Sequence, residues 1–282
     1  MKARWRAWPP VLMALLTAAC AAPEPTPEKA GNLASPDDPA ALLRLAGRLA
    51  AMGELGAAER LYMQASAREP DNPDPVTRLG HFYQRSGQFR PAEAAYDKAL
   101  MRDAGYPPAH VGLARLALQQ GQADPARAHL KAAEEAGADS AFFFAVKGLE
   151  RDLAGAHDRA QTIYDRGLAR FPDRAELRRQ KALSLALAGQ GEAARRLAQA
   201  LISEADRPDG GVRVLAVSHA LEGDVADAMA VTRDTLGKEA AADAALFYAE
   251  LAGLPAADRR RAVMLGRWPD AQISLPMPAR PE

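Results

Sequence analysis

Glycine recurs at intervals of 34 residues along most of the chain, and the interval never slips. The residues in this series are Gly53, Gly87, Gly121, Gly155, Gly189 and Gly223. Because only 21 of the 282 residues are glycine, six of them in one phase are not an accident of composition. A period of this length is typical of a stacked helix–turn–helix unit, with the glycine in the turn between its two helices.

A small residue flanks the turn glycine on each side, again at a fixed distance. Seven residues before the glycine stand Ala46, Gly80, Ala114, Gly148, Ala182 and Ala216. Five residues after it stand Ala58, Ala92, Ala126, Ala160, Ala194 and Ala228. A larger side chain at either place would push two helix axes apart. We therefore expect helix A, before the glycine, and helix B, after it, to cross closely in every unit.

The unit at residues 73–106 resembles a tetratricopeptide repeat. It carries the residues of that repeat at the expected offsets, namely Leu79, Gly80, Tyr83, Gly87, Ala92, Tyr96 and Ala99. Almost no segment alternates apolar and polar residues as a strand does. The period and the resemblance together predict an all-α, right-handed superhelical solenoid. Its six predicted repeats are residues 39–72, 73–106, 107–140, 141–174, 175–208 and 209–242.

The repeat pattern frays after residue 242. Residues 243–267 are predicted to form a capping pair of helices that shields the apolar face of the last repeat. Residues 268–282 contain four prolines and are predicted to be an irregular tail.

The N-terminus has the layout of an export signal. Residues 1–19 begin with basic residues, continue with a short apolar run and end with small residues before Cys20. A cysteine in this place resembles the acylated cysteine of bacterial lipoproteins, which predicts lipidation of Cys20. Ala21 is not the aspartate that keeps such lipoproteins in the inner membrane, so this resemblance implies an outer-membrane anchor facing the periplasm. The alternative is ordinary signal cleavage nearby, with an incidental cysteine. Residues 20–38, which contain four prolines, are predicted to be a disordered tether.

Charge and reactive side chains exclude several classes of function. The chain has 36 basic and 36 acidic residues, and removing the three basic residues of the signal leaves a net charge of −3. This balance argues against nucleic acid as a partner. Cys20 is the only cysteine, and the five histidines do not have a metal-ligand spacing. We predict no catalytic residue, no metal, no cofactor and no small-molecule substrate, and therefore a protein that is not an enzyme.

The last three units carry two apolar series on helix A that predict a binding groove for a protein partner. Helix A lines the concave face of tetratricopeptide arrays, and places 9 and 13 of each unit usually point into it. The predicted groove residues are Leu149, Leu183 and Val217 at place 9, Leu153, Leu187 and Leu221 at place 13, and Arg179 and Arg213 near the edge. Such a groove suits an amphipathic helix or extended peptide whose acidic flank meets the guanidinium groups.

Two other arrangements of the same residues are open. Lys147, Arg151 and Lys181 occupy places that usually pack between helices, so helix A of these units could be rotated, with the leucines in the core. Alternatively, the C-terminal cap or tail folds over the leucines in the free protein.

The second half of the chain is similar to the TadD family of tetratricopeptide lipoproteins. The features that carry the similarity are Asp152-Leu153 with Gly155, Ala160-Gln161 with Tyr164, Leu183-Ser184-Leu185-Ala186, and Phe247-Tyr248. The resemblance implies a pilotin or assembly factor that helps the outer-membrane secretin of a tight-adherence (Flp) pilus to localise or oligomerise. It implies a secretin or another pilus component as partner, and no cofactor. An adaptor of another envelope assembly pathway and an accessory subunit of an envelope enzyme are the alternatives.

Overall fold

The computed structural model describes residues 38–204 and 209–266. Within these residues the chain forms fourteen helices and no strand, which confirms the predicted all-α tetratricopeptide superhelix. The helices are α1 (Pro39–Ala51), α2 (Leu55–Arg68), α3 (Pro73–Arg85), α4 (Phe89–Arg102), α5 (Pro107–Gln120), α6 (Ala123–Glu135), α7 (Ala141–Leu153), α8 (His157–Arg170), α9 (Ala175–Leu187), α10 (Gly191–Glu204), α11 (Asp209–Glu222), α12 (Val225–Leu236), α13 (Lys238–Leu251) and α14 (Ala256–Leu265). The predicted signal, Cys20, the tether up to residue 37 and the tail from residue 268 lie outside the described residues.

The odd-numbered helices from α1 to α13 form a continuous inner layer. Each of them contacts the next one along the chain, so that α7, for example, lies between α5 and α9. Each even-numbered helix from α2 to α12 packs against the helix before it and the helix after it, on the outer side of this layer. The inner layer therefore presents the helix A surface, on which the groove is predicted.

The turn glycines end helix A in the way that the period predicts. All six have φ between 76° and 91°, a left-handed conformation that L side chains rarely adopt. The next residue donates its N–H to a carbonyl five residues back, as Gln122 does to Ala117 at 2.8 Å. This pattern is a Schellman cap, and it satisfies carbonyl groups that the helix end would otherwise leave without partners.

The small residues on both sides of the turn lie where helices A and B cross. The alanines of both series are fully buried, with 0% of their surface exposed. At Gly80 a Cβ atom would lie 2.6 Å from Tyr96, and at Gly148 it would lie 2.5 Å from Cζ of Tyr164. Both tyrosine rings are fully buried. The predicted close crossing is therefore confirmed, and in two units it makes room for a tyrosine of helix B.

The last two helices do not form the pair that the sequence predicts. α13 packs against α11 and α12 and covers the end of the stack, as a capping helix does. α14 instead turns back along the inner layer and packs against α7 and α9. Its residues Ala262, Val263 and Met264 join the largest hydrophobic core of the described chain, which extends from α5 to α14.

No helix in the described part of the chain is both long enough and apolar enough to cross a bilayer.

Candidate partner-binding groove

The six apolar residues of the predicted groove lie together on the inner layer formed by α7, α9 and α11. Leu149, Leu183 and Val217 are buried, with 4%, 0% and 0% of their surface exposed. The residues one turn further along are only partly buried and pack against the same core, namely Leu153, Leu187 and Leu221. The structure therefore brings together the residues that the sequence assigned to the groove. We call them the leucine ladder.

The part of the leucine ladder on α7 and α9 is covered by α14. Three consecutive residues of this helix, Ala262, Val263 and Met264, are buried in the core that contains the ladder. Of the three arrangements that the sequence left open, the structure has the one in which a C-terminal segment folds over the ladder. The inner surface of units 4 and 5 thus has a helix of the same chain seated on it, with a hydrogen bond from Arg213 of unit 6.

Two arginine–carbonyl hydrogen bonds fix the direction of α14 in the groove. Arg213 of α11 donates from Nη2 to the carbonyl oxygen of Val263 at 3.0 Å, in the last turn of α14. Arg260 of α14 donates from Nε to the carbonyl oxygen of Leu153 at 3.1 Å, at the end of α7. A cation at a helix C-terminus is favourable because the carbonyl groups there carry partial negative charge. The C-terminal end of α14 therefore lies at α11.

The arginines at the groove edge form hydrogen bonds within the chain, whereas the sequence predicted that they bind an acidic peptide. Arg179 donates to the carboxylate of Glu176, on the same helix, from Nε at 3.2 Å and also from Nη2. Burial tends to raise the pKa of Glu176, but the hydrogen bonds and charge of Arg179 outweigh it and hold the pKa below its usual value. For Arg213, burial and then the like charge of Arg179 lower the pKa of the guanidinium to about 10.

The lysines that suggested a rotated helix A reach carboxylates of the preceding unit instead. Lys147 pairs with Glu134 of α6, and Lys181 pairs with Asp165 of α8. Their stems run between helices while the ammonium groups stay at the surface, as long basic side chains commonly do. A rotation of helix A is therefore not needed to accommodate them.

A buried carboxylate that the sequence analysis did not single out as a site joins units 4 and 5. Asp152, with 0% of its surface exposed, accepts hydrogen bonds from the hydroxyl of Tyr164 at 2.8 Å and from Ser184 at 2.6 Å. Nδ1 of His157 lies 2.8 Å from the same carboxylate. Burial and the nearby Asp152 charge raise the pKa of Tyr164 well above its ordinary value. Three of these residues belong to the motifs of the family resemblance, and the structure gives them a role in holding neighbouring units together.

Unit 2 repeats this arrangement with a neutral group. The hydroxyl of Tyr96 donates to Gln84 at 2.9 Å, and Gln84 donates to Gln119 of the next unit at 2.8 Å. Gln84 and Asp152 occupy the same place in their repeats, as do Tyr96 and Tyr164. The signal in the sequence was thus a glycine, a polar residue four places later and a tyrosine twelve places after that.

A cavity of about 360 Å³ lies between the first two units. It is lined by Ala50, Leu55, Tyr62, Arg78, His81, Phe82, Arg85 and Ser86. Burial lowers the pKa of His81 to about 4, with Arg115 and Arg78 adding to the effect. Near neutral pH, His81 is therefore an uncharged residue at the edge of a basic, aromatic cavity.

Among the residues that the structure describes, one group offers three ligand atoms to a metal. His219, Asp224 and Asp227 place these atoms within 4.8 Å of one another at the turn between α11 and α12. Both carboxylates are exposed to solvent, which is common for acidic residues at the start of a helix. A pair of histidines, His110 and His129, has its Nδ1 atoms 3.1 Å apart. The absence of a bound metal therefore stays a prediction.

Comparisons with known proteins agree with this architecture. The model of the tetratricopeptide repeat family matches residues 49–103 and 83–147. A thermophilic tetratricopeptide protein of Thermus thermophilus has a similar structure, with a TM-score of 0.56 and 24% identity, over 64% of this chain and 98% of that one. No curated protein sequence matches this chain.

Two further structures of similar fold come from pilus-related proteins. PilW, a widely conserved type IV pilus biogenesis factor, has a TM-score of 0.52 and 19% identity over 71% of this chain and 96% of that one. The pilF protein of Pseudomonas aeruginosa has a TM-score of 0.50 and 15% identity over 71% and 95%. Identities this low show a shared fold and nothing finer. The helix layers and the turn glycines are those of a tetratricopeptide-repeat superhelix, and the family model matches the chain over residues 49–147.

Proposed function

We propose that this chain is a non-enzymatic scaffold that holds a helical segment of a partner protein in the groove formed by α7, α9 and α11. The observation that carries the proposal is that this groove seats a ten-residue helix, α14, on the leucine ladder. An apolar groove that accepts one short helix has the shape and chemistry to accept another.

The finer role that we propose is that of a lipoprotein in the outer membrane, facing the periplasm, which assists the secretin of a tight-adherence pilus. Support comes from the TadD resemblance, from the lipoprotein-like start with Cys20, and from the shared fold with two pilus-related proteins. Residues 20–38 as a flexible tether would reach roughly 25 Å. Confinement to one membrane would raise the effective concentration of the scaffold near its partner.

The lipid anchor is tested by Cys20→Ser and membrane fractionation. Several acyl chains bind a bilayer firmly, whereas the bare polypeptide has no such attachment. We expect the native chain in the outer-membrane fraction and the variant in the soluble periplasmic fraction, with Ser35→Ala in the tether as a control that stays in the membrane. A Cys20→Ser chain that remained wholly in the outer membrane would rule the anchor out.

The groove is tested by Leu153→Glu combined with Leu187→Glu, in two ladder residues that are only partly buried. Detergent-solubilised chain is used as bait for envelope components, and its helical content is followed by circular dichroism. We expect loss of secretin or pilus-component capture with unchanged helicity, while Met101→Glu, a residue 79% exposed on α4, captures as the native chain does. Capture of an enzyme in place of pilus components would instead identify an accessory subunit.

A further inference from the structure

From the position of α14 we infer that this helix is a displaceable internal ligand of the groove. Its competitor would be a short helix of a partner protein that binds in the same direction and carries the same apolar pattern. The inference deepens the proposed function and rests on it. It states the class of segment that the groove accepts and what occupies the groove beforehand.

The first argument is that the superhelix is closed without α14. α13 packs on α11 and α12 and covers the apolar end of the stack. α14 lies on the inner surface, against helices from the fourth and fifth units. Each unit keeps the contact between its own helices A and B whether or not α14 is present. α14 therefore occupies the place of a ligand on this surface, and removing it leaves the unit-to-unit contacts intact.

The second argument is that only part of α14 is packed. Its buried residues, Ala262, Val263 and Met264, all lie in the C-terminal half, whereas Ala256 and Ala257 in the first turn are exposed. A cavity of about 200 Å³ lies beside this first turn, lined by residues that include Ala257, Leu153 and Gly121. Since poorly packed ends open more readily than the core, the N-terminal half of α14 is where displacement would begin.

The third argument concerns what the groove recognises. Arg213 donates to a main-chain carbonyl, and any helix that ends at this point would present one. This contact sets the direction of the ligand but not its sequence. Two features of the groove select the sequence of the ligand. The core that contains the ladder accepts a small residue followed by two apolar ones, as in Ala262, Val263 and Met264. The carbonyl of Leu153 accepts a hydrogen bond from an arginine two places before the small residue, as from Arg260. The expected partner segment thus has the order basic, any residue, small, apolar, apolar, at a helix C-terminus.

The charge of α14 points to the same kind of partner. The helix contains Asp258 and three arginines, Arg259, Arg260 and Arg261, so its net charge is positive. The cavity at its first turn includes the buried carboxylate of Glu150, which pairs with Arg151 at 3.1 Å. The helix that the groove holds is therefore basic, whereas the sequence predicted an acidic one.

The inference is tested with a fluorescent peptide of residues 255–266 and the detergent-solubilised full chain carrying Val263→Asp. The aspartate cannot be buried against the ladder, so the internal helix should leave the groove. We expect the peptide to bind this variant and to bind the native chain about a hundredfold more weakly, because the tethered α14 competes at high effective concentration. The control peptide, which itself carries Val263→Asp, should bind neither chain.

Equal binding of the peptide to both chains, or binding to neither, would overturn the inference. Hydrogen exchange on the native chain is a second test, and its result does not depend on how the variant folds. We expect the amides of α14 to exchange about tenfold faster than those of α7 and α9. Exchange of all three helices at one common rate would make α14 a fixed part of the core.

Two further outcomes separate this inference from other possibilities. If the peptide binds the variant but no envelope component competes with it, the inference holds and the proposed function fails. If the native chain is a dimer that Val263→Asp converts to a monomer, the helix in each groove comes from a second copy, and a displaceable internal ligand is ruled out.

Discussion

Replacement of Gly148 by alanine is expected to destabilise the fourth unit, although alanine is the better helix former. Gly148 lies in the middle of α7, where its Cα faces the ring of Tyr164 from α8. An added Cβ would lie 2.5 Å from Cζ and 2.8 Å from Cδ1 of that ring, distances that real Cβ contacts do not show. The ring has no exposed surface, so it moves only by displacing its neighbours. The close approach of two helices thus depends on one missing methyl group.

The expected change in the free energy of unfolding combines two losses and one gain. Overpacking of this kind costs about 1–3 kcal/mol. A forced shift of the Tyr164 hydroxyl weakens its hydrogen bond to the buried Asp152, and a bond to a charged group contributes about 1.5–3 kcal/mol. Against this, alanine gains about 1 kcal/mol in helix propensity. We expect a net loss of about 2 kcal/mol in the free energy of unfolding.

Gly47 supplies the matched control. It is an exposed glycine within α1, where an added Cβ would come no closer than 3.7 Å to the Tyr62 hydroxyl. Gly47→Ala should therefore stabilise the chain by about 0.5–1 kcal/mol. Urea unfolding, followed by circular dichroism and compared at equal m-values, measures both variants. If Gly148→Ala were as stable as Gly47→Ala, the close-crossing argument for the small residues would be refuted.

Two other predictions concern a pH effect and the attachment of α14. The fold keeps His81 neutral, with its pKa lowered to about 4, so protons bind the unfolded chain more readily between pH 6.5 and pH 4. Stability should fall by up to about 3 kcal/mol over this range as the pH is lowered, and less in His81→Gln; identical losses in urea titrations of both chains would contradict this. Arg213→Met removes the donor to the Val263 carbonyl, so trypsin should cut at Arg259, Arg260 and Arg261 about tenfold faster. Cleavage no faster than in Arg196→Met, whose side chain is 66% exposed on α10, would show that Arg213 does not hold α14.

Most of the fold could be predicted from the sequence because the same local requirements recur in every repeat. A turn glycine needs a particular backbone conformation, and a small residue is needed wherever two helices cross, so both requirements recur in every unit. The six ladder residues lie near one another for the same reason. Each assignment depended only on a residue's place within its own unit.

The position of α14 could not be predicted in this way, because nothing within its own unit determines it. Arg213 meets a carbonyl 50 residues further along the chain, and Arg260 meets one 107 residues earlier. A helix of ten residues with four apolar ones in sequence is as compatible with a cap as with a ligand. The hydrogen bonds of Asp152 were missed because they join different helices, although their residues recur at fixed places in units 2 and 4.

The structure also resolves the choice between groove and core for the leucine ladder. Leu183 and Val217 have no exposed surface while α14 is in place, and in that state they are core. The same residues would line an open apolar groove once α14 leaves, since the helices beneath them are held by their own units. Exposing such a surface to water is unfavourable, so the open state persists only when another helix with apolar residues in these places replaces α14. A scaffold built in this way would keep its binding surface covered until a partner segment is at hand.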